Sequence, residues 1–192
     1  MISAIVLAAG QATRFGRCKQ LVLVDGKALL DRVLDNLRAS KIDDIIVVLG
    51  AHAEEIRGQI SFDGVRVVMN PDFADGMSTS IQAGLRALPE SADAAMIVLA
   101  DQPFVTPRTL DLLIDEYSRV RPMGLVPTYN NVRGNPAIVS RALFGEMMNL
   151  RGDTGARSIF GHDVMTLPVD DRGVTMDIDT MEDLPCPTKP ST

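Results

Sequence analysis

The sequence predicts an α/β fold in which a doubly wound, mostly parallel sheet of Rossmann-like type carries helices on both faces. Short apolar runs alternate with longer amphipathic runs across residues 1–120, as in repeated strand–helix units. Residues 94–100 (AAMIVLA) are apolar throughout, which is expected of a central strand covered on both faces. Turn signals within residues 129–139 interrupt the alternation and predict a small β-hairpin or lid insertion.

Local patterning defines the elements in chain order. Apolar residues recur at helical spacing within residues 28–39. Ser78 is placed to cap a helix over 78–88, and Pro107 can begin a helix over 107–120 because the first turn does not need its missing N–H. Two further helices are predicted over 53–60 and 142–150. The predicted strands cover residues 3–7, 44–49, 65–69, 94–100, 124–128, 164–168 and 174–178.

Composition narrows the class of protein. The chain has 192 residues, of which 46% are hydrophobic and 23% charged, as is ordinary for a globular protein. We expect one domain over residues 1–184 and a disordered tail over 185–192.

A net charge of −6 and the lack of a basic block argue against a nucleic-acid partner. No run approaches the ~20 apolar residues of a membrane span, and no signal peptide is recognisable, so we expect a cytoplasmic protein without a membrane partner.

The cysteines and histidines show no metal signature in the sequence. Cys18 and Cys186 lie in neither a CxxC pair nor another metal-binding spacing. His52 and His162 also lack ligand spacing, so we interpret both as surface or capping residues.

The loop after the first predicted strand carries a candidate phosphate site. Residues 7–20 (LAAGQATRFGRCKQ) combine two glycines and several alanines with the cations Arg14, Arg17 and Lys19. Small residues let backbone N–H groups approach a polyanion, and basic side chains can neutralise it. The loop matches neither the P-loop nor the GxGxxG pattern. By spacing alone, a solvated basic loop explains these residues equally well.

Two aspartates follow predicted strands. Asp101 comes directly after the strand over 94–100, and Asp179 lies in DIDTMED, residues 177–183. Ligands of open α/β sheets bind beyond the carboxyl ends of the strands, and Mg²⁺ takes one or two carboxylates plus phosphate oxygens. The alternative is a turn or capping role for each aspartate. Asp177 is a weaker metal candidate, and Thr180 is expected to cap a following helix together with Asp183.

Two later segments carry polar candidates. Ser78 and Ser80 precede or begin a predicted helix, where they could meet phosphate or simply cap the helix. RGNPAIVSR, residues 133–141, and RGDTGAR, residues 151–157, add further basic and turn residues. Their arginines could bind a phosphorylated acceptor or solvate a loop.

These motifs together resemble the signature of the MobA-like NTP transferases, which include the molybdenum cofactor cytidylyltransferases. LAAGxxxRFGxxKQ, NPxxxxGMxxS, DQP, GxP and DIDTxED occur in the family's order over roughly residues 2–184. The resemblance implies a nucleotidyltransferase fold with Mg²⁺ as cofactor and Mn²⁺ as the alternative ion. Asn135 stands where many cytidylyltransferases have His, and Met181 stands where Pro is usual.

The resemblance also implies a role for each matching residue. The implied catalytic residues are Arg14, Lys19 and Asp101. The implied nucleotide-binding residues are Leu7, Ala8, Ala9, Gly10, Arg14, Lys19, Ser78, Ser80 and Asp101. The acceptor side would comprise Gly134, Asn135, Pro136 and Arg157, and the metal ligands would be Asp101 and Asp179.

The implied reaction transfers CMP from CTP to a phosphorylated acceptor and releases pyrophosphate, with a molybdenum-bearing pterin phosphate as the acceptor. The methyl group of Ala9 takes up space beside the base, where the guanylyltransferase branch has Gly, and therefore favours a pyrimidine. Alternatives are another NTP as donor, guanylyl transfer to the same cofactor, transfer to a sugar or polyol phosphate, and a non-catalytic nucleotide-binding cofactor chaperone. The resemblance also implies a transient contact with a molybdoenzyme or its chaperone.

Overall fold

The computed structural model describes residues 1–11, 18–160 and 164–184 of the chain. The strands in these residues are β1 (Ile2–Ala8), β2 (Leu23–Val24), β3 (Lys27–Ala28), β4 (Asp44–Leu49), β5 (Arg66–Met69), β6 (Ala94–Leu99), β7 (Gly124–Tyr129), β8 (Val132–Arg133), β9 (Ala137–Ser140) and β10 (Met165–Pro168). The α-helices are α1 (Leu29–Arg38), α2 (Ala53–Arg57), α3 (Met77–Arg86), α4 (Pro107–Val120) and α5 (Phe144–Met147). The tail expected over residues 185–192 lies outside the described part of the chain.

One mixed, mostly parallel sheet organises the molecule, which confirms the predicted fold class. Its strands run in the order β10-β7-β9-β6-β1-β4-β5, and β8 pairs with β7 at the side of this path. Neighbours from β6 to β5 are parallel, and β10 is parallel to β7. Strand β9 runs antiparallel to both β6 and β7. The carboxyl ends of the parallel strands therefore meet at one edge of the sheet.

The predicted insertion consists of a tight hairpin and a returning strand. Asn130 and Asn131 have φ angles of 47° and 63° between β7 and β8, and two successive positive φ angles are typical of the turn that matches strand twist. The chain then re-enters the sheet as β9, whose residues 137–139 are buried. Only the short β8 stands outside the main strand path, so most of this insertion is part of the sheet rather than a lid.

The central strands β1, β4 and β6 are buried on both faces of the sheet, which explains why they are apolar almost throughout. Alternate side chains of β1 pack on opposite faces of the sheet. Val6 belongs to a hydrophobic cluster that includes residues of α1, α2 and α4, whereas Ile5 belongs to a second cluster that includes residues of α3 and α5. Period-two alternation places successive side chains on opposite faces, and each face here is covered by helices. Burial of both sets removes apolar surface from water and stabilises the layered arrangement.

Two sequence predictions about local structure are wrong. Gly76, with φ of 104°, is the N-cap of α3, and the helix begins at Met77, so Ser78 does not cap it. A Cβ at Gly76 would lie 2.3 Å from the backbone carbon of Gly152, which explains why glycine occupies the cap. The predicted strand over 174–178 is instead a 3-10 turn, Arg172–Thr175, followed by an unpaired extended stretch.

The segment over 174–178 resembles a strand in sequence because it is buried without being paired. Val174 and Ile178 are both fully buried. The carbonyl oxygen of Val174 accepts a hydrogen bond from the N–H of Asn135 at 2.8 Å, and the N–H of Ile178 donates to the carbonyl oxygen of Asp101 at 3.0 Å. These single contacts fix the segment across the carboxyl edge of the sheet.

No helix in residues 1–11, 18–160 or 164–184 is long and apolar enough to cross a membrane.

Candidate active site

A cleft of about 460 Å³ opens at the carboxyl ends of β1 and β6. We call it the edge cleft. Its walls come from the first loop, from the segment that leads into α3, and from the residues that follow β6; they include Leu7, Ala9, Gly10, Lys19, Phe73, Gly76, Ser80 and Asp101. The cleft therefore lies where open α/β sheets bind ligands. Its position agrees with the sequence prediction for the first loop and for Asp101.

Lys19 connects the two predicted metal ligands. Its ammonium nitrogen lies 3.0 Å from Oδ2 of Asp101 and 2.8 Å from Oδ1 of Asp179. The Lys19 side chain is 13% exposed, whereas those of Asp101 and Asp179 are 32% and 53% exposed. The fold thus brings together three residues that the sequence places at three separate motifs. A cation between two carboxylates relieves their mutual repulsion.

The segment after β10 positions Asp179 by several contacts. Buried Ile178 fixes the chain against Asp101 through its backbone hydrogen bond of 3.0 Å. Asp183 then accepts hydrogen bonds at Oδ2 from the N–H of Asp179 at 3.0 Å and from the N–H of Thr180 at 2.7 Å. Thr180 and Asp183 form a capping box, which confirms the predicted cap. Asp179 is therefore held by its own backbone against Lys19, which lines the edge cleft.

The electrostatics of the three residues are coupled. Burial raises the pKa of the Asp101 carboxyl above its usual value, against the opposing attraction of Lys19, and the nearby charges of Asp177 and Asp179 raise it further. Burial alone would lower the pKa of the Lys19 ammonium, but Asp101 and Asp179 raise it above its ordinary value. Lys19 is consequently charged at neutral pH, and the carboxylates around it gain from any additional positive charge.

The donor set of Asp101 and Asp179 fits a divalent cation such as Mg²⁺ or Mn²⁺. Oδ1 of Asp101 is buried and accepts no hydrogen bond from the residues that the structure describes. A buried carboxylate oxygen without a partner is costly in a folded protein. Hard cations prefer carboxylate oxygens, usually one or two of them in a nucleotide site. These two carboxylates could therefore hold such an ion.

The backbone of the first loop is held by a buried amide that the sequence analysis did not assign. Nε2 of Gln20 donates to the carbonyl oxygen of Ala8 at 3.0 Å, and Gln20 is 6% exposed. Ala8 itself is fully buried in the core, whereas Leu7, Ala9 and Gly10 line the edge cleft. In the sequence, Gln20 is singled out only by its position next to Lys19, and its hydrogen bond to Ala8 is visible only in the fold.

Arg14 lies outside the residues that the structure describes, so its predicted role stays a prediction.

The two predicted serines differ in their surroundings. Ser80 lines the edge cleft, and its Oγ accepts a hydrogen bond from Nδ2 of Asn70 at 3.0 Å. Asn70 is 3% exposed and begins the NPD sequence after β5. Ser78 is 1% exposed and is not among the residues that line the cleft, while its N–H donates to the carbonyl oxygen of Gly152 at 3.0 Å. The structure therefore places Ser80, and not Ser78, beside the cleft.

Three of the predicted acceptor residues, Gly134, Asn135 and Pro136, connect β8 to β9. The N–H of Gly134 donates to the carbonyl oxygen of Pro127 at 2.8 Å, and a Cβ at Gly134 would meet the carbonyl oxygen of Val174 at 2.4 Å. The Asn135–Pro136 peptide bond is cis. Pro136 lines a small apolar pocket beside Gln102 rather than the edge cleft. These contacts place the turn next to the segment that carries Asp179.

The charges of Asp177 and Arg133 act on Arg157, the fourth predicted acceptor residue. Desolvation lowers the pKa of the Arg157 guanidinium, the nearby charge of Arg133 acts in the same direction, and the charge of Asp177 opposes both. Asp177 accepts a hydrogen bond at Oδ1 from Nε2 of Gln102 at 2.5 Å. Its side chain is therefore engaged with Gln102 rather than with Lys19. Arg133 and Asp177 are therefore close enough to Arg157 for their charges to act on its guanidinium.

The profile of the family described as "MobA-like NTP transferase domain" matches residues 4–167. Among curated proteins, the molybdenum cofactor cytidylyltransferase of Escherichia coli is 24% identical over 95% of this chain and 93% of its own length. The nicotine blue oxidoreductase of Paenarthrobacter nicotinovorans is 25% identical over 95% of this chain and 94% of its own. The bifunctional IPC transferase and DIPP synthase of Rubrobacter xylanophilus is 43% identical over 102 residues, but this chain spans only 23% of that protein.

Solved structures are similar over nearly the whole chain. Rv0371c from Mycobacterium tuberculosis H37Rv superposes with a TM-score of 0.83 at 32% identity, covering 95% of this chain and 94% of that one. A second structure of Rv0371c, described as a complex with manganese, has a TM-score of 0.81 at 32% identity and covers 95% of both chains.

Proposed function

Because this chain belongs to the MobA-like NTP transferase family, we propose that it transfers CMP from CTP to a phosphorylated small-molecule acceptor and releases pyrophosphate. The observation that carries the proposal is the contact of Lys19, which lines the edge cleft, with both Asp101 and Asp179. A cation and two carboxylates at the exit of parallel strands suit a polyphosphate bound with a divalent ion.

The chemistry needs positioning and charge neutralisation more than proton transfer. An acceptor phosphate is already ionised near neutral pH, so it can attack the α-phosphate without a general base. Lys19 would neutralise phosphate charge from inside the cleft, with Arg14 as its predicted partner on the same loop. When bound by Asp101 and Asp179, Mg²⁺ or Mn²⁺ would supply Lewis-acid stabilisation of the phosphate oxygens. The manganese complex of Rv0371c supports a divalent ion in this family.

The preference for CTP is supported by Ala9. Its side chain is 3% exposed and belongs to the lining of the edge cleft. The Cβ of Ala9 also packs against Gly50, because a Cβ built at Gly50 would lie only 2.8 Å from it. The methyl group therefore keeps its place and reduces the space beside a bound base. Ala9→Gly should raise the affinity for GTP relative to CTP, and an unchanged ratio would remove the support that Ala9 gives.

The acceptor side is proposed at the turn of Gly134, Asn135 and Pro136, together with Arg157. This turn lies against Val174, four residues before Ile178, so it adjoins the segment that carries Asp179. Arg133 and Arg157 supply positive charge for a phosphate group in this neighbourhood. A molybdenum-bearing pterin phosphate is the proposed acceptor, by similarity to the cytidylyltransferase of Escherichia coli. The comparable similarity to nicotine blue oxidoreductase means that transferase activity has to be measured directly.

The test is a thermal-shift titration with CTP, GTP, ATP and UTP, each with and without Mg²⁺. A ligand at a hundred times its Kd stabilises a fold by about 2.7 kcal/mol, which is readily seen as a rise in melting temperature. We expect the largest Mg²⁺-dependent rise with CTP, and a loss of that dependence in Asp179→Asn. A rise with GTP alone would assign the chain to guanylyl transfer. The absence of a rise with all four nucleotides would contradict the assignment of the edge cleft.

A further inference from the structure

Three side chains with different donor atoms meet beside the first loop. Cys18, His52 and Glu55 each offer one potential ligand atom, and these atoms all lie within 4.8 Å of one another. Cys18 is buried, whereas His52 and Glu55 are exposed. The cluster therefore has a thiol on its protein side and two further donors on its solvent side. It is separate from the carboxylate pair of the edge cleft.

The fold creates this cluster by joining two loops at the same edge of the sheet. The N–H of Ala51 donates to the carbonyl oxygen of Ala9 at 3.2 Å, which holds the turn after β4 against the first loop. His52 adopts a left-handed backbone conformation, φ 59°, directly before α2, and Glu55 follows in the first turn of that helix. Nδ1 of His52 lies 3.5 Å from Oε2 of Glu55. Residue spacing alone could not reveal the cluster, because Cys18 comes from a different loop.

We propose that Cys18, His52 and Glu55 form a binding site for a divalent transition-metal ion, with Zn²⁺ as the best match. Thiolate, imidazole and carboxylate are the donors that zinc takes in proteins. Mg²⁺ prefers oxygen donors and avoids thiolates. The cluster and the Asp101–Asp179 pair therefore select different ions. Three protein ligands leave the fourth tetrahedral position to water or to a small ligand.

The distances are compatible with such a site after small side-chain movements. Zinc–ligand bonds of about 2.0–2.3 Å in a tetrahedron place the donor atoms roughly 3.4–3.6 Å apart. The 3.5 Å separation of His52 and Glu55 already has this value. The largest separations in the cluster, up to 4.8 Å, have to shorten by about 1 Å. The exposed side chains of His52 and Glu55 can rotate to achieve this, while buried Cys18 stays in place.

Metal binding replaces the proton of the Cys18 thiol. Without a metal, Sγ of Cys18 donates to Oε1 of Gln20 at 3.4 Å. On binding, the S–H bond breaks, the proton passes to solvent, and the thiolate electron pair forms the bond to the metal without any change of oxidation state. Gln20 keeps its hydrogen bond to the carbonyl oxygen of Ala8. Because Cys18 directly precedes Lys19, an ion here would also anchor the chain as it enters the edge cleft.

The test uses Co²⁺ as a spectroscopic substitute for Zn²⁺ with the full-length, metal-stripped protein. The chain has two cysteines and two histidines, so Cys186→Ser and His162→Ala provide matched controls. We expect one equivalent of Co²⁺ to produce a thiolate-to-cobalt charge-transfer band in both controls, and Zn²⁺ to abolish the band by displacement. Cys18→Ser should lose the band. His52→Ala and Glu55→Gln should weaken Co²⁺ binding by ~10-fold or more, since even outer partners of metal ligands change affinity by ~10–100-fold.

The result can contradict the proposal in three ways. The band could be absent from the unmodified protein, it could persist in Cys18→Ser, or it could survive unchanged in His52→Ala. Cys18→Ala serves as a second variant, and the circular dichroism spectrum of each variant verifies that it is folded. The readout does not involve CTP or pyrophosphate, so failure here leaves the proposed transferase activity standing, and failure of that activity leaves this site standing.

Discussion

Replacing Lys19 by Met removes the positive charge between Asp101 and Asp179 while keeping a side chain of similar length. The Lys19 ammonium lies 3.0 Å and 2.8 Å from the two carboxylates. Removing one partner of a buried ion pair costs about 3–5 kcal/mol, whereas an exposed pair contributes about 0–1 kcal/mol. The Lys19 side chain is 13% exposed, but those of Asp101 and Asp179 are 32% and 53% exposed, so we expect an intermediate loss of about 1–3 kcal/mol in the free energy of unfolding. At ~2–4 °C per kcal/mol for a protein of this size, the melting temperature should fall by roughly 6 °C.

The same variant tests whether the carboxylates bind a divalent ion. Without Lys19, Asp101 and Asp179 repel each other without compensation, so Mg²⁺ should raise the melting temperature of Lys19→Met more than that of the unmodified protein. The assay is thermal unfolding at about pH 8, where carboxylates are ionised, with and without Mg²⁺. Lys19→Met combined with Asp101→Asn should lose the extra response. Lys41→Met is the matched control, because Lys41 pairs with Asp115 at an exposed site. An equal Mg²⁺ response in Lys19→Met and the unmodified protein would show that Lys19 does not compete with Mg²⁺ for the two carboxylates.

Two further predictions concern the framework of the site. Burial alone would raise the pKa of the Asp171 carboxyl, but hydrogen bonds, the strongest from Thr109, lower it below its ordinary value. The ionised Asp171 carboxylate therefore stabilises the fold fully above its unfolded pKa near ~4, and this stabilisation is lost as the pH falls through the folded pKa. Asp171→Asn should lower the free energy of unfolding by about 1–2 kcal/mol at neutral pH. Urea unfolding should show that the difference between Asp171→Asn and the unmodified protein disappears in acid. Gly76→Ala should cost about 1–3 kcal/mol, because of the positive φ and the contact with Gly152. The control Gly58→Ala, whose Cβ would meet no atom closer than 3.5 Å, should leave stability unchanged or raise it.

The strands were predictable because their burial leaves a direct mark on the sequence. A strand covered on both faces has to be apolar throughout, and residues 94–100 show this pattern around the observed β6 (Ala94–Leu99). Pro107 begins α4 as predicted, with Thr106 as its cap. The same reasoning fails over residues 174–178, where Val174 and Ile178 are buried by the sheet edge without pairing as a strand. An alternating apolar pattern indicates that a segment is buried, but it does not indicate which backbone groups the segment pairs with.

The sequence predicts only those parts of the candidate site that lie directly after a predicted strand. The position of Asp101 after β6 follows from the sequence rule for open sheets. The direct contact of Lys19 with Asp101 and Asp179 does not follow from it, because each residue comes from a different part of the chain. Buried supports such as Gln20 and Asn70 depend on partners that only the folded chain brings close. The Ser78 cap fails for a local reason, since the close approach of Gly152 requires glycine at position 76.

Transfer of the nucleotidyl group itself is the most direct test of the central claim. The protein would be incubated with CTP labelled at the α-phosphate, Mg²⁺, and a molybdenum-bearing pterin phosphate acceptor, and both the labelled product and pyrophosphate would be quantified. We expect label to move to the acceptor in equal amount to pyrophosphate. Asp179→Asn should reduce the rate by about 10²–10³, as the loss of one group that stabilises transition-state charge does. Pyrophosphate formation without acceptor labelling, or equal rates for Asp179→Asn and the unmodified protein, would contradict the central claim.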